Sequence, residues 1–230
     1  MGGPVLRWIH AHRHRWGHGR IARRLARALV ARGDTPVGLV RNPDHVADVQ
    51  SDGSGAVVLD LETATVHEVA GALSGADAVV FAAGAGPGSG AERKDTVDRG
   101  GASLVADGAT LAGVRRYVLV SSMGAGSEPA PGTDAVFASY LRAKSASEAD
   151  LAGRDLDWTI VRPGALTDAA GSGRVRLDEA VPAGTVSRDD VAEVIVSLLH
   201  EPLTAGLVLE LTSGDVPVEA AVAAVIERET

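Results

Sequence analysis

The sequence predicts an α/β fold, with a single doubly wound domain built around a mostly parallel sheet. From Gly17 onward, segments with the period of a helix alternate at short intervals with strand-sized apolar segments, as in βαβ units. The 28 glycines, against three Trp, two Tyr and two Phe, indicate many tight backbone turns. The apolar runs at 78–83 and 117–120 suit strands, and both are far shorter than the roughly 18 to 20 residues of a membrane-crossing helix.

The first helix is the clearest single element. Ile21, Leu25, Ala28 and Leu29 share one face of a helix over 20–32, and Gly33 follows as a C-terminal glycine. The other predicted elements are, in order, strands 36–40 and 56–59, helix 66–73, strand 78–83, a glycine-rich loop 84–90, helix 94–112, strand 117–120, helix 140–151, strand 158–161, helix 189–200 and strand 207–211. No repeat or linker divides them, so one domain is expected over 17–230, including a small C-terminal portion on the substrate side.

The composition is that of a soluble, cytoplasmic protein. A net charge of −8 with 45% hydrophobic residues excludes a disordered chain. The absence of cysteine excludes disulfide scaffolds, thiolate metal sites and cysteine nucleophiles. We expect a small-molecule substrate, no metal, no nucleic-acid or membrane partner, and a monomer or homodimer.

The N-terminal segment differs from the rest of the chain. Its first 33 residues hold eight arginines and no acidic residue, and 1–18 contain four of the seven histidines. A nucleic-acid-binding arm, a targeting peptide and a metal site built from alternating histidines are alternatives. No acidic residue lies nearby to orient the imidazoles, and no signal-peptide hydrophobic segment follows.

A reading-frame error explains the same segment better. His-Arg-His-Arg-Trp-Gly, residues 12–17, can be encoded as CAT CGT CAT CGC TGG GGC, which reads Ile-Val-Ile-Ala-Gly one base later. That peptide is a buried strand ending in glycine. The hypothesis is that 1–16 is translated out of frame or from a misassigned start, and stands where a first β-strand belongs. The coding DNA tests it, because stop codons or the lack of an apolar strand in that frame would exclude it.

Two features suggest a dinucleotide site. Gly17-His18-Gly19 opens the first helix, where glycines let the backbone approach a pyrophosphate and the free N–H groups bind its charge. Arg41 follows the second strand, where an acid would bind a ribose 2′-hydroxyl and an arginine suits a 2′-phosphate, so NADP is favoured over NAD. An ordinary glycine turn and a solvated surface arginine are the alternatives.

A catalytic pair is suggested further along the chain. Tyr140 and Lys144 stand at i and i+4 on one helix face, downstream of a strand that ends in Ser121-Ser122. A nearby ammonium stabilises a phenolate and equips it to exchange a proton with a carbonyl or carbinol. The spacing also occurs in unrelated surface pairs, but the chain has only two lysines and two tyrosines.

The ordered set of motifs resembles the atypical short-chain dehydrogenase/reductases, which have a Rossmann-type domain. The motifs are Gly17-x-Gly19, Arg41-Asn42-Pro43, Asp60-Leu61, Ala82-Ala83-Gly84, Val97-Asp98, Val120-Ser121-Ser122, Tyr140-x-x-x-Lys144 and Val161-Arg162-Pro163-Gly164. The similarity spans about 17–215 and is greatest to the branch called NAD-dependent epimerase/dehydratase, NmrA-like or flavin-reductase-like. Trp16 departs from the pattern, because it stands where the family has the first glycine of Gly-x-x-Gly-x-x-Gly/Ala.

The resemblance implies a role for each matching residue. The pyrophosphate would be bound by Gly17, His18, Gly19, Arg20 and Ile21, and the 2′-phosphate by Arg41. Asp60 and Leu61 would flank the adenine, Ala82, Ala83 and Gly84 would line the adenosine side, and Pro163 and Gly164 would lie against the nicotinamide. Lys144 would bind the nicotinamide ribose, Ser122 or Ser121 the substrate oxygen, and Tyr140 would be the acid/base. Asp98 falls where many relatives have asparagine on the central helix, and we count it with the catalytic group.

These expectations lead to an NADP-dependent oxidoreductase acting on a small carbonyl or flavin-like substrate. One alternative is a non-catalytic, NmrA-like sensor of NAD(P) occupancy, since this branch tolerates loss of catalytic residues. Another is an NAD-dependent epimerase/dehydratase. The roughly 67 residues after Pro163 leave little material for a sugar-nucleotide domain. The expected pocket loops, 86–92, 124–138 and 168–184, show no charged cluster or aromatic box that would identify the substrate.

Overall fold

The computed structural model describes residues 5–10, 19–84 and 94–228, and within them the strands form a nine-stranded and a two-stranded sheet. The strands are β1 (Val5–His10), β2 (Thr35–Val40), β3 (Gly55–Val58), β4 (Ala78–Phe81), β5 (Arg116–Val120), β6 (Asp157–Pro163), β7 (Ala165–Thr167), β8 (Arg174–Asp178), β9 (Thr185–Ser187), β10 (Val208–Ser213) and β11 (Val216–Pro217). The large sheet has the order β11-β8-β10-β6-β5-β4-β1-β2-β3. The pair β7-β9 forms the small one.

The large sheet is mostly parallel, as predicted. Only β8 pairs antiparallel, with β10 and β11, among the pairings in the described part of the chain. The chain runs outward from β1 to β3 in one direction and then from β4 to β6 in the other, so the order reverses between β1 and β4. Such a reversal opens a crevice at the carboxyl ends of the strands, which is where open α/β sheets bind ligands.

Helices cover both faces of the sheet. They are α1 (Arg20–Ala31), α2 (Val46–Ser51), α3 (Val66–Leu73), α4 (Ala102–Ala112), α5 (Ala135–Ala152), α6 (Arg188–Leu199) and α7 (Val218–Glu227). A π-helical segment, Lys94–Gly101, leads directly into α4, and short 3₁₀ turns lie at Pro43–His45 and Pro202–Thr204. Among the described residues, no helix is long and apolar enough to cross a membrane.

Two hydrophobic cores, one on each face, follow from the alternation of side chains along the strands. Val118 and Val120 of β5 enter the core shared with α1, α6 and α7. Tyr117 and Leu119 of the same strand enter the core shared with α3 and α4. Because successive strand residues face opposite sides, one short apolar run contributes to both cores. Each large side chain buried in this way stabilises the fold by about 1.5–3 kcal/mol.

The predicted helices and strands, from the first helix to the last predicted strand, are all present with shifts at their ends, whereas 85–90 of the predicted glycine-rich loop lie outside the described residues. The largest shift is in α5, which begins at Ala135 and not at 140, because Asp134 caps it by accepting hydrogen bonds from the amides of Val136 and Phe137. The predicted helix 94–112 starts with the π-helical segment. The strands β7, β8, β9 and β11 and the helices α2 and α7 were not predicted.

The N-terminal segment supplies a strand that sequence reasoning did not recognise. Val5–His10 forms β1, parallel to β2 and β4 in the middle of the large sheet, with Ile9 opposite both Leu39 and Phe81. The residues of the suspected out-of-frame peptide, 12–17, lie outside the described residues. The division of the chain at residue 16 and the reading-frame hypothesis therefore stay predictions.

Candidate nucleotide and catalytic site

Lys144 joins the carboxyl ends of two central strands. Its Nζ atom lies 3.3 Å from the carbonyl oxygen of Ala83, which follows β4, and 3.1 Å from that of Val120, which ends β5. The third neighbour is the Asp98 carboxylate, with Oδ1 at 3.1 Å. Two hydrogen bonds and one ion pair therefore surround the ammonium, which has three donors.

The Lys144–Asp98 pair is buried. The Lys144 side chain is 4% exposed and the Asp98 side chain 0%. Burial by itself lowers the pKa of Lys144, but the attraction of Asp98 and Tyr140 outweighs it, and the pKa of the lysine is raised above its usual value. The ammonium therefore stays charged at any pH at which the protein would operate.

The π-helical segment places Asp98 against the end of β4. A Cβ atom at Gly84 would lie 3.0 Å from Oδ1 of Asp98, so the glycine permits this close approach. The hydroxyl of Ser147, on α5, lies 2.7 Å from the Asp98 carbonyl oxygen. Interruptions of helical geometry of this kind are frequent at functional sites. The structure thus brings together Asp98 and Lys144, two of the residues predicted for the catalytic group, and their roles stay predictions.

Tyr140 lies one helical turn before Lys144 and is half-buried. The lysine Nζ lies 5.8 Å from the centroid of the Tyr140 ring. The same ring stacks on Phe137, with the centroids 5.9 Å apart and the planes at 26°. Phe137 is 47% exposed, so the two rings form an aromatic surface at the edge of the site. Sequence reasoning missed Phe137 because it placed the helix start after it, although the i, i+3 spacing of the two aromatics was visible.

Glu148 continues the same face of α5 by one more turn. Its carboxylate forms a bidentate ion pair with Arg162 of β6, at 3.0 Å and 2.6 Å, and both side chains are largely buried. This pair fixes α5 on the sheet and so helps to place Tyr140 and Lys144. Its spacing of i+4 from Lys144 could have identified Glu148 in the sequence.

The serines after β5 differ in their surroundings. The Ser121 hydroxyl is buried and has no hydrogen-bond partner among the described residues, whereas Ser122 is half-buried and its hydroxyl lies 3.3 Å from the Met123 carbonyl oxygen. Two backbone bonds hold this turn to β6, from the Ser121 amide to Val161 O at 2.7 Å and from the Met123 amide to Pro163 O at 2.9 Å. Burying a hydroxyl without a hydrogen-bond partner costs free energy, and a polar ligand that binds to the hydroxyl would offset this cost. Such a hydroxyl therefore suits a binding site for a polar ligand.

Pro163 and Gly164 lie directly beyond these serines, at the end of β6. A Cβ atom at Gly164 would lie 2.4 Å from the carbonyl oxygen of Gly184, so only glycine allows the 184 backbone to pack there. The Gly164 amide donates to Leu211 O at 2.9 Å. The predicted nicotinamide-side residues therefore share one edge of the sheet with Ser122, Tyr140 and Lys144.

Arg41 and the turn after β3 form the opposite end of the crevice. The Leu59 amide donates to Val40 O at 2.8 Å, which brings Asp60 and Leu61 beside Arg41. Leu61 packs on the core next to α4. The Arg41 guanidinium pairs with Glu62 at 2.5 Å. The acid comes from the turn after β3 and not from the segment after β2, so the local sequence did not indicate it.

The start of α1 lies between these two ends. Gly19 is its N-cap residue, and without a side chain it cannot cap the helix, while Ile21 is buried in the core. Arg20 pairs with Asp168, which also lies 3.0 Å from Arg188 and 3.5 Å from Arg24. This charged cluster was not predicted. Gly17 and His18, also assigned to the pyrophosphate, lie outside the described residues.

These observations fit a dinucleotide. The amides that begin α1 are not capped by Gly19, Arg41 offers a cation at one end of the crevice, and Ser121 leaves a buried hydroxyl at the other. Ala82, Ala83 and Gly84 place only small side chains at the carboxyl end of β4 between them.

Comparison with known proteins gives the family. A family model described as NAD(P)H-binding matches residues 17–202, which is most of the chain. The chain belongs to this NAD(P)H-binding family. With its Rossmann-type sheet it is an atypical short-chain dehydrogenase/reductase, as the sequence resemblance implied, and it binds a nicotinamide cofactor.

Three relatives illustrate the range of the NAD(P)H-binding family. The uncharacterised sugar epimerase YhfK of Bacillus subtilis is 32% identical over 202 residues, covering 87% of this chain and 93% of YhfK. A Bacillus halodurans structure named as an NAD-dependent epimerase/dehydratase is 32% identical, with a TM-score of 0.87, and the match covers 96% of this chain and all of that one. The anaerobilin reductase ChuY of Escherichia coli O157:H7 is 26% identical, with a TM-score of 0.75, covering 92% of this chain and 98% of ChuY.

Proposed function

We propose that the protein is an NADP-dependent oxidoreductase that acts on a small carbonyl or a flavin-like acceptor. The observation that carries the proposal is the position of Tyr140. Its ring lies 5.8 Å from the buried Lys144 ammonium, at the carboxyl ends of the central strands. A phenol beside a permanent cation in a ligand crevice suits proton transfer to or from oxygen.

The cofactor is held at both ends of the crevice and at the start of α1 between them. The amides at the start of α1, with Gly17, His18 and Gly19, bind the pyrophosphate, and Arg41 binds the 2′-phosphate. Asp60 and Leu61 flank the adenine, Ala82, Ala83 and Gly84 line the adenosine side, and Pro163 and Gly164 support the nicotinamide ring. When bound, the nicotinamide supplies a hydride to the acceptor carbon.

Protein side chains supply the proton and the orientation. Ser122 or Ser121 donates a hydrogen bond to the substrate oxygen, and Tyr140 gives that oxygen a proton, so that with the hydride a carbonyl becomes an alcohol. Lys144 keeps a positive charge beside the phenol. A hydrogen bond from Lys144 to the nicotinamide ribose would have to replace one of its three present acceptors. Asp98 balances the lysine charge and fixes its position.

Two observations favour a reductase over a sugar-nucleotide epimerase. The chain after β6 supplies β8, β10 and β11 to the large sheet and the helices α6 and α7 to one of its cores, which leaves little chain for a separate sugar-nucleotide domain. The stacked rings of Phe137 and Tyr140 offer a flat surface to a conjugated acceptor. The similarity to ChuY, a reductase by name, agrees with this preference.

The test measures oxidation of NADPH with a panel of aldehydes, ketones, flavins and quinones. With a carbonyl substrate, Tyr140→Phe is expected to reduce kcat about 10²- to 10⁴-fold with an unchanged melting temperature, because the variant keeps the ring and loses the proton. With a flavin-like acceptor that needs no protein acid, the same variant would turn over normally. Tight NADPH binding without turnover of any acceptor would refute catalysis and leave the nucleotide-sensor alternative.

A further inference from the structure

The Arg41–Glu62 pair brings opposite charges together where the proposed site receives the adenosine ribose. The Arg41 Nη1 atom lies 2.5 Å from Glu62 Oε2, and the side chains are 15% and 29% exposed. The pair therefore lies at the margin of the crevice, partly shielded from water. A guanidinium binds a carboxylate and a phosphate with the same N–H donors. Glu62 therefore occupies Arg41 donors that a 2′-phosphate would use.

The turn that carries Glu62 is built to hold it in this place. The Asp60 side chain accepts a hydrogen bond from the Glu62 amide at 3.1 Å, and the Asp60 carbonyl accepts from the Ala64 amide at 2.8 Å. The Leu59 amide ties the same turn to the end of β2. Because the backbone sets the position of Glu62, replacing its carboxylate by an amide leaves the turn intact.

We propose that Glu62 is a specificity-determining residue that sets how strongly the site discriminates between NADP and NAD. Its carboxylate competes with the 2′-phosphate for Arg41 and repels that phosphate directly. In NAD the same position carries a hydroxyl, which a carboxylate binds well. Glu62 therefore weakens the preference for NADP that Arg41 creates. The inference rests on the proposed nucleotide site and adds a residue that acts on its selectivity.

Glu62→Gln removes the charge and keeps the shape. Titration of the intrinsic fluorescence with NADPH and with NADH gives the two dissociation constants without requiring turnover. The variant is expected to bind NADPH about fivefold more tightly and NADH no more tightly than the parent, which is the size expected for one partly screened charge pair. In an Arg41→Ala background the gain for NADPH should fall to about twofold, because only the direct repulsion remains.

Glu219→Gln is the matched control. Glu219 also faces an arginine, Arg32 at 3.7 Å, but Arg32 is the C-cap residue of α1, whereas the pyrophosphate is proposed at the opposite, N-terminal end of that helix. Its replacement changes the net charge by the same amount, and the ratio of the two dissociation constants should stay at the parent value.

Three outcomes would overturn the proposal. An unchanged ratio in Glu62→Gln, with the parent binding both nucleotides, refutes the role of Glu62 and leaves the proposed function standing. An equal change of the ratio of dissociation constants in Glu219→Gln would show that the effect comes from net charge. Failure of the parent to bind either nucleotide overturns the proposed function and this inference together.

Discussion

Removing the Lys144 ammonium should destabilise the fold as well as the chemistry. In Lys144→Met, the fully buried Asp98 carboxylate loses its cation, and the carbonyl oxygens of Ala83 and Val120 lose a donor. Breaking a buried ion pair by removing one partner costs about 3–5 kcal/mol. In a domain of this size, each kcal/mol shifts Tm by roughly 2–4 °C, so we expect a fall of about 6–20 °C.

The double variant Lys144→Met/Asp98→Asn separates the charge from the packing. It removes the unpaired charge, so most of the lost stability should return. The assay is urea unfolding followed by circular dichroism, with Arg228→Met as the control. Arg228 pairs with Asp178 at 2.6 Å, but the side chains are 53% and 39% exposed, and loss of that pair should cost less than about 1 kcal/mol. A cost below 1 kcal/mol for Lys144→Met, or no recovery in the double variant, would refute the reasoning.

Three further predictions concern the nucleotide, the first strand and acid stability. Arg41→Ala should weaken NADPH binding about tenfold or more and leave NADH nearly unchanged in the same titration, whereas equal losses would refute the 2′-phosphate assignment. Replacing 1–16 by a Val/Ile-rich strand that ends in glycine should raise NADPH affinity and Tm, because the sequence pattern places residue 16 where the backbone approaches the pyrophosphate, and a glycine suits that position better than a tryptophan. Indistinguishable values would show that the present segment is compatible. Burial raises the pKa of Asp52, but its hydrogen bonds with Arg23 and Arg27 outweigh this effect and lower the pKa below 3.8. The ionised carboxylate therefore stabilises the fold above pH 3.8, and this stabilisation is lost as the pH falls through the lowered pKa. In urea unfolding, Asp52→Asn should therefore lose more stability at pH 6 than at pH 2, and equal losses at both would contradict this.

The sequence predicted those parts of the fold and site that depend on local spacing. The period of α1, the alternation along β5 and the i, i+4 placement of Tyr140 and Lys144 all follow from the geometry of single elements. The strand β1 was missed because Val5–His10 combines apolar with charged residues and follows no clear strand pattern.

The rest depends on contacts between distant segments. Glu62 meets Arg41 only because β2 and β3 end side by side, and Asp98 meets Lys144 only because the π-helical segment packs against α5. Asp168 reaches Arg20 from the segment after β7, far along the chain. Loop positions of this kind carry no periodic signal, so a single sequence does not indicate them.

The most direct test of the proposed site is a crystal structure of the protein with NADP. The 2′-phosphate is expected beside Arg41, the pyrophosphate at the start of α1, and the nicotinamide at the ends of β5 and β6, facing Tyr140. NADP bound away from the carboxyl edge of the sheet, or with its nicotinamide turned away from Tyr140 and Lys144, would contradict the assignment.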